Sequence, residues 1–315
     1  ALPLLYRAKN IVVIGDPKQL RHITKMRPKQ DQQLMSRYDV FEDYIQWSYS
    51  KNSLFDLPRG YCNSDNLLNL RDHHRSHSQI ISFSNKFFYQ ENLRVATKYE
   101  NLKRLNDNEP AVRWISCIGE TSKPATGGAF NFKEAKEVVN QLRDLVINKN
   151  YKGSIGVVSP FRLQANKIRE LVFDDEKLLA GLNNLEFISD TVHKFQGDER
   201  DLMIFSPVVS KGISTGALGF LRNNGNLFNV AITRARSTLI VVGDLGQCME
   251  SGINYLSAFA EYVSKLRVEE EIKEKEQQTD FGAKYPPVTN PEKVSNWEKI
   301  FYTALYKNGI KTIPQ

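Results

Sequence analysis

The chain has 315 residues, 41% of them hydrophobic and 25% charged, which is the composition of a globular protein of about two domains. Its 43 basic residues exceed its 36 acidic residues and leave a formal net charge of +7, which favours a polyanionic partner without proving one. Three distant cysteines argue against a disulfide framework or a cysteine zinc site, and no apolar run reaches the ~20 residues of a membrane span. We therefore predict a cytoplasmic protein, or a nuclear one in a eukaryote, with no membrane partner.

The first 65 residues contain one clear strand pattern. IVVIGD, residues 11–16, predicts a buried strand that ends in a Gly-Asp turn. One strand with flanking helices cannot bury both faces of a sheet, so residues 1–65 are predicted to be the end of a preceding domain. GDPKQL, residues 15–20, follows at the edge where open α/β sheets bind ligands, and its Gln19 is a candidate to contact a γ-phosphate or the attacking water.

Residues 66–266 alternate apolar runs with amphipathic segments, which predicts one doubly wound parallel α/β domain. The predicted strands are residues 66–70, 112–116, 154–160, 187–190, 201–209 and 237–244. The predicted helices are residues 78–89, 132–147 and 164–182. The last of these contains the acidic pair Asp175 and Glu176, which we expect to be solvated on a helix interior turn.

LRDHHRSH, residues 70–77, places Arg75 at a predicted strand-to-helix junction, where its guanidinium is a candidate to bind phosphate. His73, His74 and His77 offer zinc binding as an alternative. Zinc takes three or four ligands, and no cysteine or carboxylate pair is suitably spaced. We predict capping or packing histidines and no metal site.

SPFRLQ, residues 159–164, follows a predicted strand and opens a helix. Its backbone amides and Gln164 are candidates to hold a nucleic-acid phosphate, although a plain Ser-Pro helix start fits as well. A second polar segment lies between the next two predicted strands. It contains Thr191, His193, Gln196, Gly197 and Glu199.

Three residues of that second segment suit contact with a nucleotide. Gly197 permits close backbone approach, Gln196 can bridge to a phosphate, and Glu199 can accept a hydrogen bond from a ribose hydroxyl. Further along, NVAITRAR predicts a short helix that carries Arg234 and Arg236 and runs directly into an apolar strand. An arginine fork matches the oxygens of a phosphate and stays charged, so Arg234 can stabilise the charge that develops in phosphoryl transfer.

Beyond residue 266 the pattern changes. Residues 267–293 are mostly charged or contain prolines, which predicts a linker. Residues 294–315 then predict a new amphipathic helix, with Trp297, Ile300 and Phe301 at helical spacing.

Five strings, GDPKQL, HHRSH, SPFRLQ, DTVHKFQGDERD and NVAITRARSTLIVVGD, occur in an order similar to the later motifs of superfamily 1 helicases. The resemblance is to the 5′→3′ branch that includes the nonsense-mediated-decay RNA helicases, and it covers about residues 1–266. It implies two RecA-like domains of the P-loop NTPase type, ATP and Mg²⁺ in the cleft between them, and single-stranded DNA or RNA across their tops.

The resemblance also implies roles for individual residues. Gln19 resembles the motif III glutamine, Arg75 the motif IV arginine and Arg234 the motif VI arginine finger. The residues that resemble nucleotide contacts are Gly15, Asp16, Gln196, Gly197 and Glu199. The residues that resemble strand contacts are Ser159, Pro160, Gln164, Thr191 and His193.

Two expected elements are missing from this sequence. It contains no GxxxxGK[ST] phosphate loop and no Asp-Glu pair after a buried strand, both of which precede GDPKQL in this family. We therefore expect a C-terminal piece of a longer helicase that needs the missing N-terminal helicase region to hydrolyse ATP. A non-catalytic nucleic-acid-binding module is the alternative, whereas a Rossmann-like enzyme is disfavoured because no GxGxxG opens a helix.

Residues 293–315 resemble the opening helix and turn of very-short-patch-repair-like nucleases of the PD-(D/E)xK fold. The catalytic residues of that fold would follow Gln315, so no catalytic role is implied for residues here. A plain amphipathic helix that packs on the motor domain fits equally well.

Overall fold

The computed structural model describes residues 6–20, 24–106, 109–124, 127–195, 197–278, 284–286, 294–310 and 312. The chain forms two compact units, Ala1–Ala260 and Glu261–Gln315. The elements that position the candidate site all belong to the first unit.

A five-stranded parallel sheet forms the centre of the first unit, in the order β3-β7-β6-β4-β5. Its strands are β3 Val112–Ser116, β4 Ile155–Ser159, β5 Ile188–Thr191, β6 Arg200–Phe205 and β7 Ala235–Gly243. Two short strands, β1 Asp72–His73 and β2 Arg94–Val95, form a separate parallel pair. The predicted fold class, a RecA-like α/β domain with a parallel sheet, is confirmed.

Helices flank the sheet. In chain order they are α1 Pro28–Arg37, α2 Phe41–Tyr44, α3 Asp56–Tyr61, α4 Ser78–Phe88, α5 Phe132–Arg143, α6 Arg162–Phe173, α7 Glu176–Leu182, α8 Thr215–Asn223, α9 Gly225–Thr233, α10 Leu245–Glu250, α11 Asn254–Gln278 and α12 Asn296–Lys307. Short 3₁₀ turns lie at Ile45–Trp47, Ser64–Asn66, Tyr99–Asn101 and Val192–Phe195, and α5 continues as a π-helix over Asp144–Asn148.

Both faces of the sheet are buried, which explains the nearly continuous apolar sequence of its strands. One face packs against α5, α6 and α7 through a cluster that includes Ala135, Val138, Leu142, Ile155, Val157, Ile168, Leu202, Ile204 and Ile240. The other face carries an aromatic cluster in which Phe228 of α9 contacts Phe205 and Phe259 edge to face. A strand that is apolar on both faces needs cover on both sides, and the helices supply it.

The connection from β5 to β6 crosses β4, and its path determines at which edge of the sheet its polar residues lie. Phe195 in this connection is fully buried, and a Cβ added to Gly156 of β4 would lie 3.0 Å from its ring. Glycine at position 156 therefore allows the connection to pack closely on the sheet. Because the strands are parallel, the connection begins at the carboxyl edge of the sheet and ends at the amino edge.

Two predicted strands are wrong. Residues 11–16 form no strand, and Ile11, Val12 and Ile14 are 47%, 86% and 86% exposed. A strand needs hydrogen-bonded neighbours, and residues 6–65, where described, contain helices but no partner strand. Residues 66–70 are also unpaired, because pairing begins only at β1.

The strand predicted at residues 201–209 is shorter than expected, since β6 ends at Phe205. Pro207 has no N–H to donate to a neighbouring strand, and Val208 adopts a left-handed backbone with φ 64°. The helix predicted at residues 164–182 is two helices. Asp175 caps the second one, so it does not lie on a helix interior turn.

The second unit contains the rest of α11 and the helix α12. A capping box starts α12, because Ser295 Oγ accepts from the amide of Glu298 at 3.2 Å and the Glu298 carboxylate accepts from Ser295 N at 2.6 Å. Tyr302 of α12 is buried and packs edge to face on Tyr285. Residues 267–278 of the predicted linker continue α11, whereas residues 279–283 and 287–293 lie outside the described residues.

Candidate functional site

Arginines from three parts of the first unit meet at the amino edge of the sheet. Arg234 follows α9 directly before β7, and Arg75 lies between β1 and α4. Arg236 lies within β7, so the prediction that both later arginines belong to the helix is wrong for Arg236. The sequence had placed these residues in separate motifs, and the fold brings them into one cluster.

Glu199 is the carboxylate shared by this cluster. It forms an ion pair with Arg75 Nε, and its second oxygen lies 3.6 Å from Arg236 Nε. Glu199 directly precedes β6, next to the start of β7, because Arg200 N donates to the carbonyl of Arg234 at 3.0 Å. The residue predicted to contact a ribose therefore also sets the position of one predicted phosphate arginine.

Gln19 contacts Arg234 directly. Arg234 NH2 donates to Gln19 Oε1 at 3.1 Å, and Arg234 NH1 donates to the carbonyl of Asp198 at 3.4 Å. Gln19 in turn donates from Nε2 to Asp16 Oδ2 at 2.9 Å. The predicted glutamine and the predicted arginine finger, 215 positions apart in the chain, thus share one hydrogen bond.

Tyr89 and Asn229 hold the 16–19 segment against α9. The Tyr89 hydroxyl donates to Asp16 Oδ2 at 2.7 Å and accepts from Asn229 Nδ2 at 3.2 Å. Asn229 Nδ2 also donates to the carbonyl of Lys18 at 2.9 Å. Burial and the neighbouring Asp16 carboxylate raise the pKa of Tyr89, so its hydroxyl stays protonated and available as a donor.

The electrostatics of the cluster favour an anion. Arg234 is only 3% exposed, and its Nε is buried with no hydrogen-bond partner among the residues that the structure describes. Burial lowers the pKa of Arg234, and the positive charge of Arg75 lowers it further. Arg75 and Arg234 repel each other, against the attraction of Glu199 and Asp198 for Arg234, and a bound negative group would stabilise both guanidiniums.

The histidines near Arg75 have structural roles. His77 caps α4, since its Nδ1 accepts from Gln79 N at 3.2 Å, and His73 Nε2 accepts from Ser76 N at 2.9 Å. Burial and then Arg75 lower the pKa of His73 to about 4, so it is a neutral acceptor. The prediction of capping and packing histidines is confirmed for both. Among the described residues, no group of His, Cys, Asp and Glu has a metal-binding arrangement.

The remaining predicted nucleotide contacts lie beside this cluster. Gly197 is exposed with φ 84°, a conformation that favours glycine, directly before Asp198 and Glu199. Gly15 and Asp16 begin the segment that holds Gln19, and Gly15 faces the ring of Phe55. Gln196 lies outside the described residues.

The predicted strand-contacting residues lie at the opposite edge of the sheet. Ser159 and Thr191 are the last residues of β4 and β5, Pro160 follows Ser159, and His193 is exposed in the 3₁₀ turn after β5. The side chains of Ser159 and Thr191 are buried, which leaves Pro160, His193 and backbone groups at the surface. Burial, followed by Arg162, lowers the pKa of His193.

Gln164 does not lie where the sequence predicted. Its side chain is fully buried, and its Oε1 accepts from Asn131 N at 2.8 Å. Its Nε2 donates to Ser206 Oγ at 3.0 Å. Because all of its polar atoms bind protein groups below the surface, Gln164 cross-links elements of the sheet edge in place of the predicted contact with a nucleic-acid phosphate.

Sequence reasoning missed Tyr89, Asn229 and Asp198. Tyr89 was included only as the last residue of a predicted helix, and Asn229 only as the first residue of a short predicted helix, where the apolar Val230, Ala231 and Ile232 follow it. A polar residue fully buried within such a helix is the signal that points to Asn229.

The polar cluster at one edge of a five-stranded parallel sheet defines the chain as a RecA-like domain. Residues 50–246 match the family described as "AAA domain". The match covers more than half of the chain, so the chain belongs to this family. None of the described helices combines the length and the apolar character that a bilayer span requires.

Three relatives carry helicase names. "Helicase sen1" of Schizosaccharomyces pombe is 30% identical over 253 residues, which cover 78% of this chain and 14% of that protein. "Putative helicase MOV-10" of Gallus gallus is 28% identical over 256 residues, 74% of this chain and 26% of that protein. "Probable helicase senataxin" of Homo sapiens is 27% identical over 258 residues, 79% of this chain and 9% of that protein.

The chain therefore spans about a quarter or less of the length of these relatives. The chain thus belongs to the AAA-domain family, and the relatives that it resembles are named as helicases.

Proposed function

We propose that this chain is the C-terminal region of an ATP-dependent helicase that couples ATP hydrolysis to movement along single-stranded DNA or RNA. The observation that carries the proposal is the hydrogen bond between Gln19 and the buried Arg234, with Arg75 and Glu199 beside it. A glutamine and two arginines at one site are the groups that phosphoryl transfer requires to orient water and stabilise charge.

The residues present fit a nucleotide. The Arg234 Nε, which has no hydrogen-bond partner among the described residues, is suited to a phosphate, and Glu199 is suited to accept from a ribose hydroxyl. Gln19, Arg75 and Arg234 would hold the phosphates, with the Gly197 backbone close to the nucleotide. ATP with Mg²⁺ supplies the phosphoanhydride bond whose hydrolysis drives movement, and the magnesium ligands would come mostly from the N-terminal helicase region.

In this proposal Arg234 changes partners. In the structure its Nη2 group donates to Gln19 Oε1. A phosphate offers the guanidinium a stronger, charge-assisted bond than a neutral amide does. Gln19 would then be free to orient water, while Tyr89 and Asn229 keep the 16–19 segment in place.

The nucleic acid would bind at the carboxyl edge of the sheet, near Pro160 and His193. The connection that follows β5 leads from there to Gly197 and Glu199 at the amino edge. A shift of the bound strand and a change at the nucleotide would therefore act on the same segment. DNA and RNA both remain candidates, because stacking and backbone contacts serve either.

The 315-residue chain alone is proposed to be inactive as an ATPase, since its sequence contains no GxxxxGK[ST] phosphate loop. The nuclease-like reading of residues 293–315 and the cytoplasmic or nuclear location also stay predictions. Measurable Mg²⁺-dependent ATP turnover by this chain alone would contradict its proposed inactivity as an ATPase.

The test is nucleic-acid-stimulated ATPase activity of the longer protein that includes the region before Ala1. We expect Arg234→Ala to lower kcat by about 10³-fold or more, with ATP binding largely kept, because the lost group acts on the charge of the transition state. Arg143→Ala is the matched control, because Arg143 is a half-exposed arginine that pairs with Asp175 on the far side of the sheet.

Three outcomes separate the alternatives. Loss of turnover in Arg234→Ala alone supports the motor proposal. Equal activity of Arg234→Ala and Arg143→Ala rejects the assignment of Arg234. Absence of ATPase activity in the unmodified longer protein, with strand binding intact, favours the non-catalytic nucleic-acid-binding module.

A further inference from the structure

A buried polar network lies below the carboxyl edge of the sheet, away from the arginine cluster. Glu134, in the first turn of α5, is fully buried. Its Oε1 accepts from Ser206 Oγ at 2.5 Å and from the backbone N of Val208 at 2.9 Å, whereas its buried Oε2 has no hydrogen-bond partner in the described part of the chain. A buried carboxyl group that binds backbone just beyond a strand is expensive to keep and indicates a specific role.

Val208 shows what the carboxyl group does. This residue has φ 64°, a conformation that a β-branched side chain strongly disfavours. Glu134 accepts from its N–H, and Thr121 Oγ1 donates to its carbonyl at 2.9 Å. Both peptide groups of the strained residue are therefore held by buried side chains, so the chain direction after Pro207 depends on these bonds.

The same network reaches the turn that follows β4. Gln164 Nε2 donates to Ser206 Oγ at 3.0 Å, and Ser206 N donates to the carbonyl of Val158 at 3.0 Å. Asn131 Nδ2 donates to Ser210 Oγ at 3.0 Å, and Asn131 N donates to Gln164 Oε1 at 2.8 Å. The network thus joins residues 206–210 to the start of α6, directly after Pro160.

We propose that Glu134 is a positioning residue for single-stranded nucleic acid, which holds the buried residues 206–210 so that the exposed Lys211 directly after them and the turn after β4 form one binding surface. Lys211, exposed directly after this segment, would reach the strand phosphates. The inference deepens the proposed function and rests on it, since it concerns the same strand-binding edge.

The surroundings of Glu134 predict that the affinity for nucleic acid depends on pH. Burial, and to a smaller extent Asp244 at the start of α10, raise its pKa to about 8 against the opposing effect of the bonds from Ser206 and Val208. The other titratable groups that face it are the thiols of Cys117 and Cys248. The carboxyl group is therefore neutral at neutral pH, and its ionisation places an unpaired charge beneath the segment.

The experiment measures binding of the 315-residue chain to a fluorescein-labelled oligothymidylate of about 20 nucleotides by fluorescence anisotropy, a length that exceeds a typical site. At neutral pH we expect Glu134→Ala to weaken binding about tenfold, because a relaxed segment leaves a smaller binding-competent fraction. Glu134→Gln, which keeps the Oε1 acceptor, binds within about twofold of the wild type. Glu137→Gln, the same change on the exposed side of α5, is the control and leaves binding unchanged.

Two further measurements distinguish positioning from a general loss of structure. Val208→Gly in the Glu134→Ala background adopts positive φ without strain, so we expect it to restore most of the affinity. Wild-type affinity falls as the pH rises through about 8, beyond the fall seen for Glu134→Gln. Circular dichroism at each pH reports whether each variant is folded.

The following outcomes would overturn the inference. Full affinity of a folded Glu134→Ala variant overturns the inference, as does failure of Val208→Gly to restore any binding. If Glu134→Ala does not fold, the pH profile decides, and identical profiles of wild type and Glu134→Gln overturn the inference. Absence of binding by the wild-type chain at every pH rejects the proposed function, and this inference with it.

Discussion

The protonation state of Glu134 connects a single residue to the stability of the fold. Its pKa is raised from an ordinary value of 4.5 to about 8 by burial and Asp244. Between these two values the folded chain keeps a proton that the unfolded chain has lost. The stability that this proton contributes is fully present below about pH 4.5 and is lost as the pH rises through about 8.

Glu134→Gln removes this dependence, because an amide does not titrate. We expect the free energy of unfolding of the wild type, relative to Glu134→Gln, to fall by up to about 1.4 kcal/mol for each pH unit between about 5 and about 8. Urea unfolding followed by circular dichroism at several pH values measures it. A constant difference between the two proteins across this interval contradicts the raised pKa.

For single residues, the sequence predicted the kind of chemistry that a side chain suits better than it predicted the partners of that side chain. Arg75, Arg234, Gln19 and Glu199 were each selected for the chemistry of the side chain, and the structure brings all four into one cluster. Their pairing was not predictable, because hydrogen-bond partners hundreds of positions apart depend on the complete fold. Gln164 shows the opposite case, since its amide suits a phosphate but the fold buries it.

Among the elements, the break between α6 and α7 depends on one cap. Asp175 Oδ1 accepts from Leu178 N at 3.2 Å at the start of α7, and its carboxylate also pairs with Arg143. Asp174, its neighbour, is the exposed C-cap residue of α6, and its side chain makes no capping hydrogen bond in the described structure. The apolar spacing continues across the break, so periodicity alone predicted one helix.

We expect Asp175→Ala to lower the free energy of unfolding by about 1 kcal/mol, because it leaves an amide of the first turn of α7 without its cap. Asp174→Ala is the matched control, with an expected change within about 0.5 kcal/mol. Equal effects of the two substitutions in denaturant titrations would show that the cap does not stabilise α7.

Strands were predictable where the chain supplies neighbouring strands to pair with and helices that cover both faces of the sheet. β3 has the predicted bounds, and β4, β5 and β7 lie within about two residues of theirs. Residues 11–16 have an equally apolar pattern, yet the described part of the chain gives them no strand to pair with. A pattern of apolar residues predicts the tendency to form a strand, while pairing depends on what lies beside it.

In the whole molecule, the two candidate sites lie at opposite edges of one sheet. The arginine cluster lies before β6 and β7, whereas the proposed strand surface lies after β4, β5 and β6. Helices cover both faces of the sheet, so the edges are where loops expose polar groups. A net charge of +7 favours a polyanion everywhere on the surface, and only a local measurement distinguishes the two edges.

Lys211 and Lys152 provide that local measurement, because both are exposed lysines at the ends of sheet strands. Lys211 lies beyond the carboxyl end of β6, where its carbonyl accepts from Thr121 N at 2.8 Å. Lys152 lies before the amino end of β4, with its ammonium bonded to Asn150 at 2.5 Å. Only Lys211 borders the proposed strand surface.

We expect Lys211→Ala to reduce the slope of log affinity for oligothymidylate against log salt concentration by about 0.7, the share of one phosphate contact on a single strand. Lys152→Ala should leave that slope unchanged, because Lys152 does not border the proposed strand surface. Each substitution removes one positive charge, so both variants alter the long-range attraction by net charge equally. The slopes come from anisotropy titrations between about 50 and about 200 mM salt. Equal slopes in the two variants would mean that the strand responds to total charge, and that the carboxyl edge of the sheet is not its binding surface.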